Sequence, residues 1–365
     1  MRKNCLKYPV EIAGDAFGES PVLADTLKKV TGSDSPRVFL VADINVVQRV
    51  EGLGTKIGRY VKTHGIRLVG NPAVLAGGEK IKADELQSAI SVMNAMLSAK
   101  LGRNDAVLAI GGGTVLDVAG YAAAQVRGGV RLVRIPTTPA AMVDAAFAEY
   151  AAVDSVSVKD ALRVPSEPAA VVLDPSFAAT VLEGVWRGGI GEAIRLAAAT
   201  DAPLLKRLGG IAPAYRERSE EALVKMLEEV LAARKKHAGT GFAQWAAFRL
   251  ETMSGYKLPH GYAVGIGMYL DLGYAVERGF MTQGDRDNVV GLLDESRALD
   301  GINHSSHLIT QPDNLLYGLD AWALSSGSTQ IELPAGLGKT TFDAEPDRGA
   351  IKKILKEMLS FPAKS

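Results

Sequence analysis

The chain has 365 residues, 47% hydrophobic and 22% charged, and its 41 lysines and arginines balance 41 aspartates and glutamates to a formal net charge of +0. That composition excludes a disordered chain, and the charge balance excludes a global field that would gather nucleic acid or an anionic membrane. One cysteine, Cys5, excludes an intramolecular disulfide and any cysteine-only metal cluster within the chain, so a bound metal would be held by His, Asp and Glu.

The amino-terminal MRKNCLKYPVEI lacks the apolar core of a signal peptide, and no segment runs about 18 apolar residues, so a cytoplasmic protein without a membrane anchor is expected. Short apolar runs then alternate with helical patterns. VFLVAD after Arg37 reads as a strand leading to Asn45, followed by a helix toward His64, IRLVGNPAVL, a long amphipathic helix from Ala83 to Leu101, then DAVLAIGGG and VRLVRIPTT. Strands alternating with helices imply crossover units and a parallel sheet covered on both faces. The expectation for residues 1–176 is a doubly wound parallel-sheet, Rossmann-like domain.

After Asp174 strand signals nearly vanish. Apolar residues recur at helical spacing through 177–208, 215–238, 242–254, 261–279 and 284–295, which predicts an all-helical domain over 177–365. LSSGSTQIELPAGLGK within it predicts a small hairpin, and Pro346 to Phe361 a final helix.

DAVLAIGGGTVLDVAGYAAA sets three glycines between a buried strand and a helix, where backbone N–H groups can approach a pyrophosphate at a helix amino terminus. A glycine triplet alone is more often a tight strand-to-helix turn. Its neighbours carry further polar groups: Asp43 and Asn45 at a strand end, Glu79 and Lys80 in GGEKIK, and Thr137, Thr138 and Asp144 in RIPTTPAAMVDAAFA. Asp43 and Asn45 would by themselves fit a strand-end turn.

Taken in order, GEK, GGGxxxDxAGYAAA, the IPTTxxAxVD segment, GEAI, HGxAVxIGM and the late LPAGLGK resemble the 3-dehydroquinate synthase family, within the wider sugar-phosphate cyclase superfamily. The resemblance runs from about Val38 to the end, with WAAFRLETMSGYKLPHGYAVGIG closest to a divergent branch. It implies an NAD-dependent carbon cyclase assisted by a divalent metal, zinc or cobalt, that works as a homodimer on a small phosphorylated sugar or polyol. On the nucleotide side it implies binding roles for Asp43, Asn45, Glu79, Lys80, Gly112, Gly113, Asp117, Thr137 and Thr138, with Asp144 and Lys159 at polar positions of the active site.

The metal ligands implied by the resemblance are a glutamate and two histidines; Glu192 and His260 match two of them, and Gln244 stands where the middle histidine belongs. Tyr150, Asp160, His237, Gly241, Phe248 and Ser325-Ser326 also replace polar or cationic family residues. Arg195, one helical turn after Glu192, is the best placed to supply a missing cation. A weakened or lost metal site and an altered substrate are therefore expected. Two other readings stay open: an NAD-dependent polyol or alcohol dehydrogenase of the iron-containing type, and a non-catalytic nucleotide-binding derivative.

Overall fold

The computed structural model describes residues 5–155 and 158–360. It divides into two compact units, one over Leu6–Val181 and one from Leu182 onward that also takes in Cys5.

The amino-terminal unit runs β1 (Val10–Ile12), α1 (Val22–Thr31), β2 (Arg37–Asp43), α2 (Ile44–Arg49), α3 (Leu53–Thr63), β3 (Arg67–Leu68), β4 (Ala73–Leu75), α4 (Gln87–Ser98), β5 (Ala106–Gly111), α5 (Gly113–Gln125), β6 (Arg131–Pro136), α6 (Pro139–Val143), β7 (Tyr150–Ser155), β8 (Val158–Pro165) and β9 (Ala170–Leu173). Seven strands form one sheet in the order β1-β9-β6-β5-β2-β3, with β4 also on β2, and every pairing is parallel. The central strands RVFLVAD, AVLAIG and RLVRIP are buried almost throughout. That is the pattern of a sheet covered on both faces, so the Rossmann-like expectation holds.

Sequence periodicity missed one feature here. β7 pairs antiparallel with β8, outside the main sheet. The long helix expected over Ala83–Leu101 is shorter: a 3₁₀ turn covers Glu79–Lys82, and Glu85 and Leu86 take left-handed backbone conformations just before α4.

The carboxy-terminal unit contains α7 (Glu183–Thr200), α8 (Ala202–Arg216), α9 (Glu220–Arg234), α10 (Gln244–Met253), α11 (His260–Glu277), α12 (Gln283–Glu295), α13 (Gly301–His304), α14 (Ser306–Ile309), α15 (Pro312–Ser326), β10 (Ile331–Pro334), β11 (Thr340–Asp343) and α16 (Arg348–Met358). It is helical apart from the β10–β11 hairpin. The helical run expected over 177–208 breaks at Asp201, whose carboxylate caps α8 through Leu204 N. The predicted end of the last helix, Phe361, lies outside the described residues. Among the described residues no helix is long and apolar enough to cross a membrane.

Candidate active site

In the amino-terminal unit the glycine loop follows from β5 meeting α5. Gly112 is the extended residue that caps α5, and a side chain there would press on Thr138 Cγ2 at 3.2 Å. A side chain on Gly113 would meet Ala145 Cβ at 3.1 Å. The loop thus has two positions where even a Cβ would be tight against its neighbours. Beside it, Thr137 N donates to Gly111 O, Thr138 caps α6 through Ala141 N, and the buried Thr137 Oγ1 has no hydrogen-bond partner. Asp144 closes α6, its backbone N–H bonded to Ala140 O.

Asp43 and Asn45 act locally. Asp43 Oδ1 accepts from Asn45 N at 2.8 Å and from Asn45 Nδ2 at 3.0 Å, which caps α2. Asn45 Nδ2 also reaches Ala76 O, and Gly77, at a φ of 65°, packs so closely that a Cβ would lie 2.5 Å from the Asp43 carboxylate. These residues tie the end of β2 to the turn before Glu79.

Beneath that turn lies a buried ionic network. Lys82 Nζ bridges Asp117 Oδ2 at 2.7 Å and Asp160 Oδ1 at 2.5 Å, while Lys159 Nζ bonds Glu79 Oε2 at 2.9 Å. Thr114 Oγ1, in the first turn of α5, donates to Glu79 Oε1 at 2.8 Å. Burial alone would lower the Lys82 pKa, but Asp117 and Asp160 reverse this and hold the ammonium well above its ordinary range. Burial pushes Asp117 up; for Asp160 the charges of Lys82 and Lys159 outweigh burial and bring it down. Asp160 sits at a φ of 55°, and its N–H donates to Asp154 Oδ1. Left-handed backbone is accessible to Asp and Asn where most residues avoid it.

Glu79, Asp117 and Lys159 therefore come together. Lys80 does not: it is exposed, and Lys82 occupies the buried place. GEKIK contains both lysines, and the 3₁₀ turn over Glu79–Lys82 puts the second one inward.

In the carboxy-terminal unit, α7 and α11 cross where glycine meets glycine. A Cβ on Gly261 would overlap Gly188 Cα, and Gly267 gives the same close access to Ala243 O. This crossing brings His260, at the start of α11, to Glu192 one turn beyond Gly188. His260 Nε2 faces Glu192 Oε1 at 3.0 Å, and Nδ1 faces Glu251 Oε1 at 2.7 Å. Burial would lower the His260 pKa, but the Glu251 charge and bonds to both carboxylates raise it to about 10. Arg195 Nε holds the other oxygen of Glu192 at 2.6 Å, and Arg195 Nη1 donates to Thr240 O and Phe242 O.

Gln244 is buried at the start of α10, directly after Ala243, whose left-handed backbone is held by its N–H on Asp271 Oδ2. Among the described residues no group of three or more His, Cys, Asp or Glu is arranged to hold a metal. The donor set fits a divalent cation in part. Glu192 and His260 converge, and Glu251 fixes the imidazole as outer carboxylates do around metal sites, but the amide of Gln244 is a poor third donor. Sequence reading missed Glu251, although ETMSGYKLPH sets it nine residues before His260.

Models of the 3-dehydroquinate synthase amino-terminal and carboxy-terminal domains match residues 72–187 and 241–307. The 3-dehydroquinate synthase of Pyrobaculum neutrophilum is 32% identical over 68% of this chain and 77% of its own. The chain belongs to the 3-dehydroquinate synthase family. Similarity extends over nearly the full length: the Chlamydia abortus 3-dehydroquinate synthase is 26% identical over 98% of both chains. Among solved structures, the 2-epi-5-epi-valiolone synthase ValA of Streptomyces hygroscopicus, with NAD+ and Zn2+ bound, matches with a TM-score of 0.82 at 25% identity over 97% of each chain. An NADH-dependent butanol dehydrogenase of Thermotoga maritima has a TM-score of 0.67 at 14% identity, covering 97% of this chain and 99% of its own, and shares the fold alone.

Proposed function

We propose that this family member is an NAD-dependent, metal-assisted cyclase of the 3-dehydroquinate synthase type with an altered small sugar-phosphate or polyol substrate. The observation that carries the reading is the His260 clamp, in which Glu251 fixes one ring nitrogen and leaves the other facing Glu192. Such an arrangement suits a site that presents an imidazole to a cation.

Gly112, Gly113 and Thr138 are the residues that would take the pyrophosphate, and the buried Thr137 Oγ1 without a partner supports a ligand donor nearby. Asp43, Asn45 and Glu79 would border the nucleotide, and Asp144 and Lys159 the reacting substrate. Glu192 and His260 would hold the metal, with Gln244 offering one neutral oxygen. Bound there, NAD supplies a hydride acceptor and the metal Lewis-acid polarisation of substrate oxygens. Lys159, paired with Glu79, would then face an anionic oxygen, while Arg195 holds one oxygen of Glu192 in place. ValA, which carries NAD+ and Zn2+, supports the same pairing of cofactors here.

Calorimetric titration with NAD+ tests the reading. Saturable binding is expected, and Gly112→Val removes it because a branched side chain meets Thr138. An intact protein that shows no heat at millimolar NAD+ overturns it. A cytoplasmic homodimer belongs to the same proposal, and sedimentation velocity reads the dimer.

A further inference from the structure

Next to the Glu192–His260 pair, the 240–242 loop carries a second feature that the cofactor chemistry does not use. Arg195, bonded to Glu192, donates to the carbonyls of Thr240 and Phe242, so Gly241 is held between two residues tied to that pair. The indole of Trp322 on α15 lies against Gly241, where a Cβ would come 3.3 Å from its Cζ2 and 3.4 Å from Glu332 Oε2. Gly241 N donates to that same carboxylate at 2.5 Å. The ring of Phe248 stands 6.1 Å from that of Trp322, tilted by 52°.

Phe248 is one helical turn after Gln244 on α10, so the two share a face of the helix. Both aromatic residues are half-buried, and the Trp322 N–H donates to Gln330 O, so its polar group is already satisfied. The charges in this corner do not favour an anion. Glu332 sets a carboxylate against Gly241, Arg195 is committed to Glu192 and two carbonyls, Arg249 beside Phe248 donates its Nε to Asn314 O, and Arg234 is buried and engaged.

We propose that Trp322 and Phe248 form an aromatic wall that receives the uncharged C–H face of a polyol ring and rejects an anionic group at that position. This deepens the cyclase reading and rests on it for the identity of the ligand as a polyol. Aromatic faces gain from apolar C–H surface, and a phosphate placed here would lose its water while meeting a carboxylate. Glycine at 241 is part of the device, because a Cβ there would crowd the indole at 3.3 Å.

The test is calorimetry with carbaglucose, an uncharged polyol ring, on the full chain in the presence of NAD+. Wild type is expected to bind it, Trp322→Leu to weaken it about tenfold, and Trp322→Phe to retain most of the affinity, since ring contacts of this kind are worth up to about a factor of ten. Millimolar inorganic phosphate should not compete in wild type and should begin to compete in Phe248→His. No carbaglucose binding to wild type, an unchanged affinity in Trp322→Leu, or competition by phosphate in wild type each overturns the wall. Melting curves of both Trp322 variants separate misfolding from lost contact. NAD+ binding measured alone reads the cyclase proposal separately: if NAD+ binds and carbaglucose does not, the wall falls and the reading stands. If carbaglucose binds through Trp322 while NAD+ fails, the reverse holds.

Discussion

Glu251 is completely buried and holds His260 Nδ1, so the imidazole that faces Glu192 is oriented in part by a carboxylate that no motif search would single out. Gln244 sets the metal question at the same scale. Purified without chelator, the native chain should hold well under one equivalent of zinc, and Gln244→His should raise that content, because imidazole is a far better third donor than an amide. A full equivalent in the native protein with no gain in the variant would mean that the site is already complete. Asp271 gives a pH prediction. Burial raises its pKa from 3.8 to about 7, despite hydrogen bonds from Trp245 and Ala243 that pull it down. The folded state then binds the Asp271 proton more tightly than the unfolded chain. Its stabilising contribution is full below the unfolded value and is lost as pH rises through about 7. Denaturant midpoints should therefore fall between about pH 5 and about pH 8, and Asp271→Asn should flatten that slope while lowering stability at both ends. The glycine loop and the segments that carry Glu192 and His260 were legible because strand-end and helix-start motifs are local. Lys82, Glu251 and Asp271 were not, since each is defined by partners 9 to 78 residues away.

At the scale of elements, the α7–α11 crossing is the most constrained contact near the site. Gly261→Ala should destabilise the protein by about 3 kcal/mol or more, because backbone at Gly188 cannot move aside as a flexible side chain would. Gly291→Ala on α12, where a Cβ meets nothing within 4 Å, should instead stabilise by roughly 0.5–1 kcal/mol. Thermal melts of the two variants decide it, and equal shifts would show that the crossing relaxes. The glycines of HGYAVGIGM were visible in the sequence as punctuation of an apolar helix. Which backbone each one admits, Gly188 for Gly261 and Ala243 for Gly267, was not, because a glycine records space without naming its occupant. The β7–β8 hairpin escaped notice for a related reason. YAAVDS and VKDALRVP lack a two-residue turn signature between them, and three of the eight residues of the second strand are charged.

For the whole molecule, the substrate is the decisive property. Complementation of a strain lacking 3-dehydroquinate synthase should fail or grow poorly, since Tyr150 is exposed where a lysine is the family residue and Asp160 adds a carboxylate beside Lys82. Robust growth without aromatic supplements would show that other groups replace those cations. With no net charge to steer an anion, any such rescue has to come from local contacts.

Family, parallel-sheet unit, helical unit and glycine loop were all determined by the sequence alone, because alternation, helical spacing and strand–glycine–helix order are properties of neighbouring residues. The tertiary structure decided how the charges are used. Lys82 rather than Lys80 turns inward, Asp160 takes its ammonium, and Arg195 is spent on Glu192 and the 240–242 loop. Aromatic rings from α10 and α15 meet only after folding closes the distance from Phe248 to Trp322. Burial is the physical reason: a charge removed from water has to find its partner wherever the fold brings one, and sequence distance carries no trace of that choice.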